Sequence, residues 1–323
     1  MIELSVIIPN RNSPFTTKTI EDVLKNAGCE VEVIVNVDEK WPEPLVNDKR
    51  VTYIHPPQPI GLRQAINTCV KLAKGKYIMK TDDHCAFGEN FGRILIDSHL
   101  ENNWVQVPRR YALDAENWKI GNEGDPKYPI DYMFIDFPLK GKEHDDGMHG
   151  VPYKRDDRKD ILVDDTPSMQ GSCYFMTKDH FENFLGGLSE VGYGQFSQES
   201  QEIGFKTWLG GGALKVNKKT WYAHLHKGKT YGRMYTMPGG TAEASNWSAD
   251  YWLNDRWEGR IHDFAWFIDT KFPGMPKWSS DWELQIKEMG WTVQNEIIKC
   301  KFCGGKLSDS RAFCDECGRD QDY

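Results

Sequence analysis

Gly75-Lys76-Tyr77-Ile78-Met79-Lys80, running into Thr81-Asp82-Asp83-His84-Cys85, is the stretch on which the reading of this chain turns. The first six residues read as a buried strand, and the chain leaves the pleat where Asp82 and His84 stand two apart. An acid and an imidazole at a strand end can turn toward one divalent cation. A carboxylate oxygen with an imidazole nitrogen suits Mn²⁺ (or Mg²⁺) held beside substrate phosphates. On its own, an Asp-x-His pair is more often a turn or helix cap near a surface histidine. The surrounding pattern decides between the two.

That pattern alternates. Leu4-Ser5-Val6-Ile7-Ile8-Pro9 is an apolar, β-branched run ended by Asn10-Arg11-Asn12, a buried strand entering a loop. Thr16 to Ala27 reads as a helix with Ile20, Val23 and Leu24 on one face and Gly28 just beyond. Val31 to Val37 is a second strand, ending at Asp38-Glu39, and Val51 to Ile54 a third. Gly61 opens a helix through Lys74 with Ala65, Cys69 and Leu72 inward. Strand alternating with helix predicts an α/β fold, a mostly parallel sheet covered on both faces. In such sheets ligands sit outside the carboxyl ends of the strands. Asn10, Asp38 and the Asp82/His84 pair all fall at such ends. There is no Gly-x-Gly-x-x-Gly after the first strand and no Gly-x-x-x-x-Gly-Lys-Ser/Thr, which argues against dinucleotide-binding and P-loop domains.

Bulk properties narrow the class. With 323 residues there is room for one large domain with additions. A net charge of −8 argues against a generally basic nucleic-acid binder. No basic, apolar leader opens the chain and no apolar run approaches the ~20 residues of a membrane helix, so the expected location is the cytoplasm, of the host if the chain is phage-encoded, with no membrane partner. Cys29, Cys69, Cys85 and Cys173 are scattered and read as reduced thiols.

Residues 102–166 read as an irregular insertion shaping an acceptor side. In it His144 and His149 stand near acids, as a second metal site or a plain loop. Pro167 to Met176 reads as a strand, Lys178 to Leu185 as a helix. A Gly-bearing loop from Gly192 leads to a helix ending at Trp208, and Gly210 to Val216 starts a strand reaching His224. Seven tryptophans between Trp247 and Trp291 predict helices packed on the core. Cys300-Lys301-Phe302-Cys303 and Cys314-Asp315-Glu316-Cys317 have the spacing of a four-cysteine Zn²⁺ ribbon, a closed and therefore structural site. The expected division is 1–240, 241–295 as a Trp-rich helical extension, and 296–323 as the ribbon.

Taken in order, Ser5-Val6-Ile7-Ile8-Pro9, Gly61-Leu62-Arg63, Ala73-Lys74-Gly75-Lys76-Tyr77-Ile78 and Thr81-Asp82-Asp83-His84-Cys85 resemble a GT-A glycosyltransferase. The Asp-x-His-Cys form is similar to the polypeptide N-acetylgalactosaminyltransferases. The resemblance implies that Asp82, His84 and His224 hold Mn²⁺ against the diphosphate of a UDP-sugar, with His226 a spare. It places Pro9, Asn10, Arg11, Asp38, Arg63, Asp82 and Phe196 on the donor side, with Asp38 toward uracil. The family usually shows two adjacent acids at that strand end, whereas here the order is Asn36-Val37-Asp38-Glu39. Arg63 is equally a nucleotide contact or a surface pair. Glu199 falls at the Glu of a Trp-Gly-Gly-Glu-Asn motif in which Phe196 replaces the Trp; by itself it is a helix N-terminal acid. Tyr235-Thr236-Met237-Pro238-Gly239-Gly240 is similar to the family's closing loop, with Tyr235 near the diphosphate and Lys227 where the family carries Arg. The implied reaction is hexosyl or N-acetylhexosaminyl transfer with retention. The implied acceptors are a protein Ser/Thr hydroxyl or, given the appended ribbon, a hydroxymethylpyrimidine in DNA. The competing reading is a non-catalytic UDP-sugar or nucleic-acid binding module.

Overall fold

The computed structural model describes residues 1–121, 124–125, 127–139, 147–226, 231–232, 235 and 240–291. Its first half is the predicted alternation. Strands β1 (Leu4–Asn10), β2 (Val31–Val37), β3 (Val51–Ile54) and β4 (Tyr77–Thr81) pair in parallel, in the spatial order β4-β1-β2-β3. Helices α1 (Thr16–Asn26) and α2 (Gly61–Leu72) make the crossovers. Every residue of β2 is buried, including its two polar ones, which are hydrogen-bonded: Glu32 accepts from Ser5 Oγ at 2.7 Å and Asn36 donates to Asp38 at 3.0 Å. The inner face of α2 is Ala65, Ile66, Cys69 and Val70, whereas Leu72 is exposed. The expected face was rotated: Ile66 and Val70, one turn apart, occupy the stripe that Leu72 leaves.

The sheet continues past β4 through β11 (Cys173–Thr177), β6 (Trp104–Asp114), β12 (Ala213–His224) and β10 (Val163–Asp165). β11 runs antiparallel to both β4 and β6, and β12 runs parallel to β6. Six of the eight strands on this path therefore point the same way, with β10 and β11 reversed. Short strands β5 (Cys85–Phe87) and β7 (Lys119–Gly121) add to β12 and β6, and β8 (Tyr132–Ile135) pairs with β9 (Gly150–Tyr153) apart from the main sheet. Helix α3 (Phe91–Asp97) follows β5.

Residues 102–166 are thus not irregular: β6 is an eleven-residue strand well inside the sheet. Its polar residues concealed it. Gln106 is fully buried yet paired, donating to the Leu95 carbonyl at 2.9 Å and accepting from Asn217 at 2.8 Å. Pro108 interrupts the run where the β6–β12 register shifts between Asn217 and Trp221, a bulge that tolerates the missing N–H. The helix expected over 178–185 is a π-helical turn, His180–Phe184.

Helix α4 (Glu199–Leu209) leads into β12, and helices α5 (Thr241–Leu253) and α6 (Trp282–Glu288) follow it. Trp252, Trp278, Trp282 and Trp291 are buried in the same apolar core as the sheet. Each indole N–H has a partner: Tyr193 Oη, the Ile135 carbonyl, Asp269 and the Pro138 carbonyl respectively. Among the described residues no helix is long and apolar enough to cross a membrane.

Candidate functional site

A cavity of about 1000 Å³ opens at the carboxyl ends of the same-sense strands. Pro9 and Asn10 reach it from β1, Asp38 from the end of β2, Asp82 from the end of β4 and His224 from the end of β12. Parallel strands end on one side, so residues scattered over 215 positions, from Pro9 to His224, meet there.

Asp82, His84 and His224 present ligand atoms that all lie within 4.8 Å of one another. His224 Nε2 is 3.2 Å from Asp82 Oδ2, and His84 Nε2 is 3.8 Å from the same oxygen. Asp83 orients this group from behind. Its Oδ1 is 2.7 Å from His84 Nδ1, which turns the Nε2 of His84 toward Asp82. Its Oδ2 accepts from Asn10 Nδ2 at 3.0 Å, and that nitrogen also donates to Thr16 Oγ1 at 2.6 Å. Burial, reinforced by the neighbouring His84, pushes His224 down to about 3, against the pull of Asp82. His224 is therefore a neutral imidazole with a lone pair to offer. Burial would raise Asp82, but Lys80 and the two imidazoles outweigh it and hold its carboxyl well below the usual carboxylate range.

Lys80 is the functional-site residue that the sequence did not reveal. It is almost wholly buried in β4 and donates to Asp82 Oδ1 at 2.8 Å, the Gly171 carbonyl at 2.6 Å and Glu199 Oε2 at 3.4 Å. Burial alone would lower its pKa, but the charges of Asp82 and Glu199 reverse this and raise it. Glu199 opens α4 and is itself buried; desolvation raises its carboxyl and Lys80 partly opposes that. The ammonium thus ties Asp82 to Glu199. Gly171 permits this approach, since a Cβ there would stand 3.1 Å from Glu199 Oε2. The available signal was a lone Lys in an otherwise apolar strand.

The other expected residues divide. Pro9, Asn10, Arg11, Asp38, Phe196, Glu199, Tyr235 and His226 line the cavity. Arg11 pairs with Glu39, and its guanidinium carbon lies 5.0 Å from the centre of the Tyr235 ring. Asp38 accepts the backbone N–H of Ile60 at 3.1 Å and of Gly61 at 2.9 Å, so its carboxylate also fixes the start of α2. Arg63 is corrected. It is fully buried behind the cavity, pairs with Glu202, donates to the Ser189 and Ser197 carbonyls, and lies under the Tyr193 ring at 4.2 Å. One helical turn is enough to point a residue of α2 inward instead of at a ligand. Unforeseen wall residues include His149, Gln170, Gln198 and, from α5, Thr241 and Ser245. Lys227, His144, residues 236–239 and Cys300, Cys303, Cys314 and Cys317 lie outside the described residues.

Residues 5–162 match the family model Glycosyl transferase family 2, slightly under half of the chain. No curated protein matches the sequence. Among solved structures, the crystal structure of GalNAc-T7 with UDP, GalNAc and Mn²⁺ is similar at a TM-score of 0.62 and 17% identity, over 92% of this chain and 59% of that one. The chain therefore spans about three fifths of that relative. Staphylococcus aureus TarS, residues 1–349 in complex with UDP-GlcNAc, has a TM-score of 0.48 at 15% identity, over 75% of this chain and 64% of that one. The fold is a GT-A fold, and its first half is similar to glycosyl transferase family 2.

Proposed function

We propose that this chain, a glycosyltransferase by its family 2 domain, moves a sugar from a UDP-sugar to a hydroxyl acceptor with Mn²⁺ or Mg²⁺ held by Asp82, His84 and His224. The observation that carries this reading is the convergence of one carboxylate and two imidazoles on the wall of a large cavity at the strand ends. The donor set suits a borderline divalent ion: one anionic oxygen, a neutral His224, and a His84 already oriented by Asp83. When bound, such an ion supplies neutralising charge for the departing diphosphate. The crystal structure of GalNAc-T7, with UDP, GalNAc and Mn²⁺, supports the same assignment.

The chain's own residues do the rest. Asn10 and Asp83 hold His84 in place, and Lys80 holds Asp82 against Glu199. Arg11 and Tyr235 form a cation–aromatic face for phosphate and ring contacts, and the family resemblance gives Lys227 the part of a cation for the leaving group. Phe196 offers an apolar platform, and Asp38 stands on the uracil side. Glu199 positions sugar or acceptor. Its carboxylate is held by a buried ammonium, which fixes it for that positioning role. Retention of configuration follows from the family resemblance, and a β-linked product seen by NMR would refute it. The two acceptors we carry forward are a hydroxymethylated pyrimidine in DNA, as in a phage-type modifying enzyme of the cytoplasm, and a protein Ser/Thr. DNA binding whose strength falls steeply with salt would select the first. The spacing of Cys300, Cys303, Cys314 and Cys317 supports one structural Zn²⁺ in 296–323, which metal analysis by mass would count.

The test is UDP release from UDP-glucose, UDP-galactose and their N-acetyl forms, with and without added Mn²⁺, in wild type and Asp82→Ala. Metal-dependent release that vanishes in a folded Asp82→Ala supports the assignment. UDP-sugar binding without turnover on any acceptor would instead support the non-catalytic module.

A further inference from the structure

Arg110, in β6, has no role in the site described above. It is 5% exposed, and its Nε and Nη1 are buried without a hydrogen-bond partner among the described residues. A guanidinium does not lose its proton in a protein, so burial leaves a full positive charge there. An uncompensated buried charge is among the most unfavourable groups a fold can carry. Asp131, which lines the same small cavity as Arg110, has both its oxygens engaged by Arg109 at 2.7 Å.

Arg110 forms part of the wall of a separate small cavity of about 20 Å³. Ser168 lines the same cavity, and its buried Oγ is likewise without a partner among the described residues. Two independent polar groups thus face one void, one a fixed cation and the other a hydroxyl able to donate. The space exceeds the ~10–15 Å³ that one water-sized particle requires, and its small size favours a compact ligand. We propose that this cavity is a site for a monatomic anion, chloride or a heavier halide, held by the Arg110 guanidinium and the Ser168 hydroxyl. A water molecule would satisfy the hydrogen bonds but leave the charge.

The site adjoins the catalytic cavity. Gln170 lines both cavities. The next residues carry the contacts that fix the site: the Gly171 carbonyl accepts from Lys80 Nζ at 2.6 Å, and the Ser172 carbonyl accepts the Asp82 N–H at 2.9 Å. A halide bound at Ser168 therefore pins the backbone against which Lys80 and Asp82 are set. This inference does not depend on the transferase reading.

The experiment has two readouts on the full chain. The first is the melting temperature in sodium chloride, sodium bromide and sodium gluconate at equal ionic strength. The expected result is a saturable rise of several degrees in either halide, absent in Arg110→Met and reduced in Ser168→Ala. The second is anomalous diffraction from wild-type crystals soaked in bromide, with a peak expected between Arg110 and Ser168. A rise of equal size in Arg110→Met overturns the proposal, as does a bromide map with no peak in the cavity. The wild-type map decides the matter if Arg110→Met does not fold.

Discussion

Replacing Lys80 by Met tests the electrostatic account of the site most directly. Met matches the length of the lysine stem, so packing in β4 changes little. What is lost is an ammonium that is 2% exposed and its bonds to Asp82, Glu199 and the Gly171 carbonyl. Removing one partner of a buried ion pair costs about 3–5 kcal/mol, because the other charge is left uncompensated. Here two carboxylates are left, and they differ. Asp82 is 28% exposed and keeps His224, so water and the imidazole offset part of its loss. Glu199 is 6% exposed and keeps only the Tyr174 hydroxyl and the charge of Arg63 to offset the loss. Its 3.4 Å contact is also the weaker of the two, which places the expected loss at the low end, about 3 kcal/mol. The double variant Lys80→Met/Glu199→Gln removes the stranded charge and should recover about 1–2 kcal/mol of that. Denaturant midpoints at constant m-value measure both quantities. A loss below about 1 kcal/mol for Lys80→Met, or strict additivity with Glu199→Gln, would show that Lys80 does not hold the two acids together.

Three further predictions come from other parts of the fold. Arg63→Ala leaves Glu202, which is 1% exposed, with Lys206 at 2.8 Å as its remaining cation, and should destabilise the protein by about 3 kcal/mol as read by chemical unfolding; a UDP-sugar KM that rises with stability unchanged would instead restore Arg63 as a direct nucleotide contact. Burial, with Lys76 adding, pushes His99 down to about 4, and burial, with His99 adding, does the same to His180. Both folded-state values lie below the ordinary 6.5, so the unfolded chain binds more protons; stability is full above about pH 6.5 and falls toward pH 4 by at most about 3 kcal/mol per group, and His180→Gln should flatten the slope of melting temperature against pH. Gly192 has φ +77° and a Cβ there would stand 2.0 Å from the Trp247 ring, so Gly192→Ala should cost more than about 2 kcal/mol and raise the KM for donor, since the displaced loop carries Phe196; a wild-type melting curve for this variant would refute the packing.

What was legible in the sequence is what repeats along it. Apolar runs, their spacing and the helices between them gave β1 to β4, and strand ends gave Asp82, His84 and the wall at Asn10 and Asp38. These are one-dimensional signals, because a parallel sheet writes each strand as a self-contained apolar word. β6 failed that test. It spends its polar residues on partners far away in sequence, Gln106 with Asn217 and Arg109 with Asp131, and its Pro108 on a bulge. Arg63 failed in the opposite direction: its place beside a helix start looked like a ligand contact, and only the fold shows Glu202, 139 positions on, waiting for it. Lys80 and Arg110 share the deeper reason. A buried cation is intelligible only through what faces it. For Lys80 the facing groups are a residue two positions away and another 119 away, and for Arg110 the buried Nε and Nη1 meet no hydrogen-bond partner among the described residues. The same physical rule, that a buried charge requires a counter-charge, therefore reads Lys80 as the clamp of the site and assigns Arg110 a partner from outside the chain.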